Sequence, residues 1–277
     1  MKKSKGYTTV LDKNPRPEAW INRLLIFTPT RGLVRTEWVQ ARYGQIIPTN
    51  WSYVEFIQGM SAYMPMEYQL ADAQNLMARL VVEQNYEWVL FIEDDNILPP
   101  NAFVKLNKYM NEKKVPSVSG LYWTKSVPPE PILYRGRGNS YYSDWKMGDK
   151  VWVDGMPFGC RLEHTSLIKA AWKESEEYMI GNQLTRRVFQ QPQIMFFDQK
   201  KGGMSSKGGT TDLEWCTRCI KDKLFEKAGW EKYQKMKYPF LVDTTIEVGH
   251  IDQQGRNFPL GGIPKQFIKQ KNGNRKG

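Results

Sequence analysis

Residues 87–92 read Glu-Trp-Val-Leu-Phe-Ile and run straight into Glu93-Asp94-Asp95-Asn96, with Pro99-Pro100 close behind. A short apolar run that ends this abruptly in polar residues and prolines reads as a buried strand stopped by a turn. The segments around it repeat the theme. Residues 23–28 (RLLIFT) form a strand candidate ended by Pro29 and the polar turn Thr30-Arg31-Gly32. Residues 51–57 (WSYVEFI) and 118–122 (VSGLY) are further strand candidates. Residues 34–43, 66–84 and 101–111 read as helices between them. In the second of these, Leu70, Ala73, Leu76, Met77, Leu80 and Val81 recur at helical spacing on one face. Alternation of strand and helix over the first 125 residues implies an α/β fold with a doubly wound, mostly parallel sheet flanked by helices.

The second half is less regular. Residues 131–135, 150–153, 193–197, 240–243 and 245–248 read as short strands, and 165–172 and 211–227 as helices. The Gly/Ser/Lys-rich stretch 200–209 reads as a mobile segment that suits a lid over a ligand. No repeat or linker divides the chain, so one domain over residues 1–277 is expected. At 40% hydrophobic residues a packed core is affordable and a disordered chain is excluded. Three cysteines argue against a disulfide scaffold, and no apolar run approaches the roughly 20 residues of a membrane span. A cytoplasmic protein without a transmembrane segment is the expectation.

The net charge of +11 is concentrated at the ends. Residues 1–16 carry +4 and residues 264–277 carry +5, leaving +2 for the body. Flexible basic arms over about 1–20 and 264–277 suit a polyanion such as DNA or an acidic membrane surface, or serve only as solvated tails.

In open α/β sheets ligands sit beyond the carboxyl ends of the strands. Glu93, Asp94 and Asp95 lie at such an end. Adjacent carboxylates repel one another and gain from a cation, and hard oxygen ligands suit Mg2+ or Mn2+. A metal there would neutralise a diphosphate. The alternative is a polar turn that caps the following helix.

The run Val89-Leu90-Phe91-Ile92-Glu93-Asp94-Asp95-Asn96-Ile97-Leu98-Pro99-Pro100 resembles the metal-binding stretch of family-2-like glycosyltransferases of the GT-A fold, where a buried strand ends in an Asp-x-Asp signature. Glu93 and Asp95 take the two signature places. The resemblance extends over roughly residues 23–252, with a smaller antiparallel acceptor-side region. It implies a metal-dependent enzyme that moves a sugar from a nucleoside diphosphate donor, UDP favoured, to an acceptor hydroxyl. Glu93, Asp95 and His250, in Gly249-His250-Ile251, would hold the metal. Thr28, Pro29, Thr30, Arg31, Asn75, Asp94 and Lys125 would contact the nucleotide sugar. Asp154 and Gly155, with Trp123, would line the acceptor side. Asp212, in Thr211-Asp212-Leu213-Glu214-Trp215-Cys216, would be the general base, with Glu214 as the second candidate. The basic arms and the missing anchor point to hydroxylated DNA as one acceptor, as in some viral DNA-modifying transferases, with a glycan or cell-surface polysaccharide as another. A non-catalytic nucleic-acid-binding protein and a metal-dependent nuclease or nucleotidyltransferase are the competing classes.

Overall fold

The computed structural model describes residues 24–51, 68–136, 140–192, 194–200, 202–207 and 209–269. Its elements are β1 (Leu24–Phe27), α1 (Thr36–Tyr43), α2 (Leu70–Glu83), β2 (Trp88–Ile92), β3 (Asn96–Ile97), α3 (Ala102–Glu112), β4 (Ser117–Leu121), β5 (Lys150–Val153) and β6 (Cys160–His164). There follow α4 (Ser166–Glu174), β7 (Glu177–Ile180), β8 (Gln183–Arg186), β9 (Ile194–Asp198), β10 (Gly203–Lys207) and α5 (Thr211–Lys221). The last are α6 (Leu224–Lys227), α7 (Glu231–Gln234), β11 (Phe240–Glu247), β12 (Gly249–Ile251) and β13 (Asn257–Phe258), with a 3-10 turn at Lys265–Phe267. The strand expected over 51–57 and most of both basic arms lie outside the described residues.

Every residue of β2 is buried, because the strand is covered on both faces. Its side chains alternate between two cores. Val89 and Phe91 pack with Ala73, Met77 and Val81 of α2, Leu167 of α4 and Trp215 of α5. Trp88, Leu90 and Ile92 pack with Trp38 of α1 and Phe103, Leu106 and Met110 of α3. The fold is therefore α/β in three layers, as the strand–helix alternation implies.

The sheet itself corrects the expectation of a mostly parallel one. Among the described residues its order is β1-β2-β6-β4-β11-β5. β1 pairs with β2, and β4 with β11, in parallel. β6 runs antiparallel to both β2 and β4, and β5 antiparallel to β11. The strand missing from the sequence reading is β6, Cys-Arg-Leu-Glu-His, whose charges disguise a central strand. Arg161 and Glu163 are two apart and so share a face. Both side chains are fully buried, and they pair at 2.7 Å. Ser117 Oγ of β4 donates to Glu163 Oε2 at 2.6 Å, and Trp215 Nε1 of α5 donates to Oε1 at 2.8 Å.

Other departures are local. Residues 211–227 form two helices rather than one, because Lys223 takes a left-handed conformation at φ 55°. The two strands expected at 240–248 are one, β11, with a register irregularity between Asp243 and Glu247. There Asp243 accepts from the Tyr109 hydroxyl at 2.6 Å and from the Thr245 amide at 3.0 Å. Residues 131–135 contribute only isolated bridges, Trp123 with Pro131 and Tyr134 with Gly155. The stretch 200–209 is largely ordered by pairing: β10 pairs with β9 as an antiparallel hairpin.

His164 ends β6 against the edge of Trp88, with ring centroids 4.8 Å apart, and its Nδ1 lies 2.7 Å from Ser166 Oγ. Burial disfavours its charged form and pulls its pKa from 6.5 down to about 4. The unfolded chain thus binds the extra proton between those values. Stability from this group is complete above pH 6.5 and is lost as pH falls to about 4, by up to roughly 3 kcal/mol. Thermal melts across this range should show that acid loss shrink in His164→Phe. An unchanged slope would show that His164 is not its source.

Candidate functional site

Parallel pairing of Phe27 with Phe91 brings the carboxyl ends of β1 and β2 side by side. Thr28 and Thr30 are buried there, Pro29 is half-buried, and Arg31 is exposed. The Thr30 side chain and the Arg31 amide stand near the Asp94 carboxylate and favour its charge. Burial nevertheless raises the Asp94 pKa. Asp94 thus stands beside the loop after β1, with Arg31 at the surface there.

Asp95 is the point of convergence. Lys125 Nζ makes an ion pair with Asp95 Oδ2. His250 Nε2, from β12, lies 3.3 Å from the same oxygen. The other oxygen, Oδ1, is buried with no hydrogen-bond partner among the described residues. Burial opposes the charge of Asp95, but hydrogen bonds and charge from His250 and Lys125 outweigh it and hold the pKa below the ordinary range.

The His250 ring is fixed from its other side. Nδ1 lies 2.7 Å from the Trp123 carbonyl oxygen, which only accepts, so Nδ1 carries the proton. In the neutral ring Nε2 then presents a lone pair to Asp95. Lone pair and carboxylate repel unless a second proton or a cation lies between them. Metal-ligating histidines are oriented in this way, by a second ring N–H given to a carbonyl. Adjacent ligands on an octahedral ion with bonds of roughly 2.1 Å stand about 3 Å apart, near the spacing seen. One carboxylate and one imidazole fit Mg2+ or Mn2+, which keep further positions for water and phosphate oxygens. Among the described residues no group of three His, Cys, Asp or Glu side chains forms a ready-made metal cluster.

Glu93, expected as the third ligand, turns elsewhere. The Tyr122 hydroxyl approaches its Oε2 at 3.4 Å. Burial, then the charges of Asp95 and Asp212, push the Glu93 carboxyl up to about 8. The charge of Asp212 reaches Glu93, Tyr122 and Tyr134 and raises the pKa of each, so the first turn of α5 stands near the strand end. Asp212 is held by the Thr210 hydroxyl and by the Leu213 amide at 2.9 Å. Burial raises its pKa. Proton acceptance is therefore easier for it than for an exposed aspartate. Glu214, two residues further on, donates its main-chain amide to the Thr210 carbonyl at 3.0 Å.

Four of the expected contact residues are engaged within the fold. Both amide hydrogens of Asn75 are committed, to the Tyr178 hydroxyl at 2.8 Å and the Phe189 carbonyl at 3.0 Å. Its Oδ1 accepts from the Phe189 amide at 2.7 Å, so Asn75 clamps the chain and has no donor left for a sugar nucleotide. The Trp123 side chain is fully buried against Trp145 and Phe267, and Trp123 serves the site through its carbonyl alone. Asp154 Oδ2 accepts from the Gly136 amide at 2.8 Å, while Gly155 bridges to Tyr134, whose hydroxyl feels Asp212.

Sequence reasoning missed the hydroxyl contacts of Tyr122, Asn96 and the steric role of Gly159. The Gly159 amide donates to the Tyr122 hydroxyl at 3.1 Å, and its carbonyl accepts from the Glu93 amide at 3.2 Å. A Cβ there would stand 2.1 Å from Asn96 Oδ1 and 2.5 Å from the Tyr122 hydroxyl. Only a glycine between the strand expected at 150–153 and the helix expected at 165–172 hinted at such a close approach.

No family model and no curated protein matches this chain. Among solved structures, A197 from STIV is similar over 84% of this chain and 87% of that chain, at 13% identity and a TM-score of 0.47. Among the described residues no helix is long and apolar enough to cross a membrane.

Gly159→Ala should cost about 1–3 kcal/mol in urea unfolding, because the buried Asn96 and Tyr122 must move. A variant as stable as the parent would show that the strand end relaxes without strain.

Proposed function

We infer that the protein is a transferase that moves a glycosyl group from a nucleoside diphosphate donor to an acceptor hydroxyl. The observation that supports this most is the pairing of Asp95 with a His250 ring whose Nδ1 is already spent on the Trp123 carbonyl. That arrangement keeps Nε2 and a carboxylate side by side, a contact that calls for a second proton on the ring or a cation between the two. A divalent ion held by Asp95 and His250 would offset the charge of the departing diphosphate.

The remaining residues have work that follows from where they stand. Asp94 stands beside the loop after β1, where the exposed Arg31 is available to the donor's phosphates or base. Lys125 brings a positive charge to the same edge. Asp212, with its raised pKa, accepts the proton of the acceptor hydroxyl as the new bond forms. Glu93, pushed up to about 8, is neutral over much of the physiological range when no cation is near, which limits repulsion at the strand end.

The test is ligand-induced stabilisation. UDP, GDP and CDP are each added with Mn2+ or with EDTA, and the melting temperature is followed. One nucleotide at about a hundredfold over its Kd should stabilise the protein by roughly 2.7 kcal/mol with Mn2+ and much less with EDTA. Asp95→Ala should lose the metal-dependent part. Stabilisation by none of the nucleotides, or one indifferent to EDTA and to Asp95→Ala, would contradict the reading.

A further inference from the structure

Lys125 and His250 meet on one oxygen of Asp95, while the other oxygen has no partner among the described residues. A divalent ion on Asp95 and His250 Nε2 would therefore find an ammonium already there. Two cations on one carboxylate repel, and one must give way. Building on the nucleotide reading of this site, we propose that Lys125 is a displaceable counter-ion that couples metal binding to diphosphate binding. Before ligands arrive it neutralises Asp95. When the metal binds, the ammonium leaves Asp95 and takes the diphosphate, so each ligand strengthens the other.

The surrounding loop supports a swing of the side chain alone. Its base is closed by the Thr124 amide on the Glu130 carbonyl at 2.8 Å and the Ile132 amide on the Tyr122 carbonyl at 2.9 Å. Across the loop the Glu130 amide donates to Thr124 Oγ1 at 3.0 Å, and Ser126 Oγ donates to the Pro128 carbonyl at 2.9 Å. The backbone at 125 is thus tied down on both sides. The Lys125 side chain is 30% exposed and the Asp95 side chain 33%, so the pair opens to the site. A lysine carries its charge on a flexible four-carbon stem and can change partners without moving the main chain. It has reason to stay until replaced. Asp95 stands close enough to Glu93 to raise its pKa, and leaving it bare would add unbalanced charge at the strand end.

The test is Mn2+ affinity, read from the free-ion electron paramagnetic resonance signal, with and without UDP. Lys125→Met should bind Mn2+ alone about tenfold more tightly than the parent protein. UDP should tighten Mn2+ binding about tenfold more in the parent than in Lys125→Met, where only the direct attraction between metal and diphosphate remains. Equal Mn2+ affinity in parent and variant, or coupling as large in the variant as in the parent, would overturn the counter-ion role. So would UDP binding that needs no Mn2+ in the parent and is lost in Lys125→Met, since the ammonium would then replace the metal outright. Asp95→Ala separates the two layers. If it abolishes Mn2+ binding while Lys125→Met leaves Mn2+ affinity unchanged, the metal reading stands and only the counter-ion role fails. If Asp95→Ala binds Mn2+ like the parent, both fail.

Discussion

The buried pair of Arg161 and Glu163 is the interaction on which the arrangement depends. A charged pair in the middle of a sheet is tolerated only when each charge is answered nearby, and losing one partner typically costs about 3–5 kcal/mol. Here Glu163 takes Ser117 from β4 and the Trp215 indole from α5, while Arg161 lies over Phe158 and Phe240 and reaches Cys216 Sγ at 3.4 Å. One strand thereby fixes its neighbour in the sheet and the helix above it. Because α5 is anchored through Trp215 and Cys216, its first turn carries Asp212 to the end of β2, where Arg161 also favours the Asp212 charge. The distance between core and site is short in this chain of contacts.

At the site the governing fact is an excess of carboxylate in a poorly solvated place. Glu93, Asp94, Asp95 and Asp212 each lose solvation, and they respond differently. The charge of Asp94 is favoured locally by the Thr30–Arg31 loop. Asp95 is held ionised by a lysine and a histidine. Burial raises the pKa values of Glu93 and Asp212, as it does that of Asp94, for Asp212 in spite of Arg161. Groups with such divided behaviour are what acid–base and cation-dependent chemistry requires at neutral pH.

The sequence made the apolar–acidic junction legible because both halves of it are local: five consecutive buried residues, then a polar turn. Helices with one apolar face, such as α2, were legible for the same reason. The antiparallel strand β6 was not, since Arg161 and Glu163 look like surface residues until their partners, 44 and 52 positions away, are known. Asn75 was misjudged on similar grounds. Its amide looked free for a ligand, but Phe189 and Tyr178 come to it from more than 100 positions on. His250 and Asp95, 155 positions apart, were expected together through a resemblance and are in contact. The proton on Nδ1, which gives that contact its meaning, depends on the Trp123 carbonyl and could be read only from the fold.

The central claim is that Asp95 and His250 Nε2 share a divalent cation when a nucleoside diphosphate is bound. The most direct measurement is an anomalous difference map from crystals grown with Mn2+ and UDP. The account predicts a manganese peak bonded to Asp95 and to His250 Nε2, with Lys125 turned from the carboxylate to a phosphate oxygen. Bound UDP with no peak between those two residues, or manganese coordinated elsewhere, would contradict it.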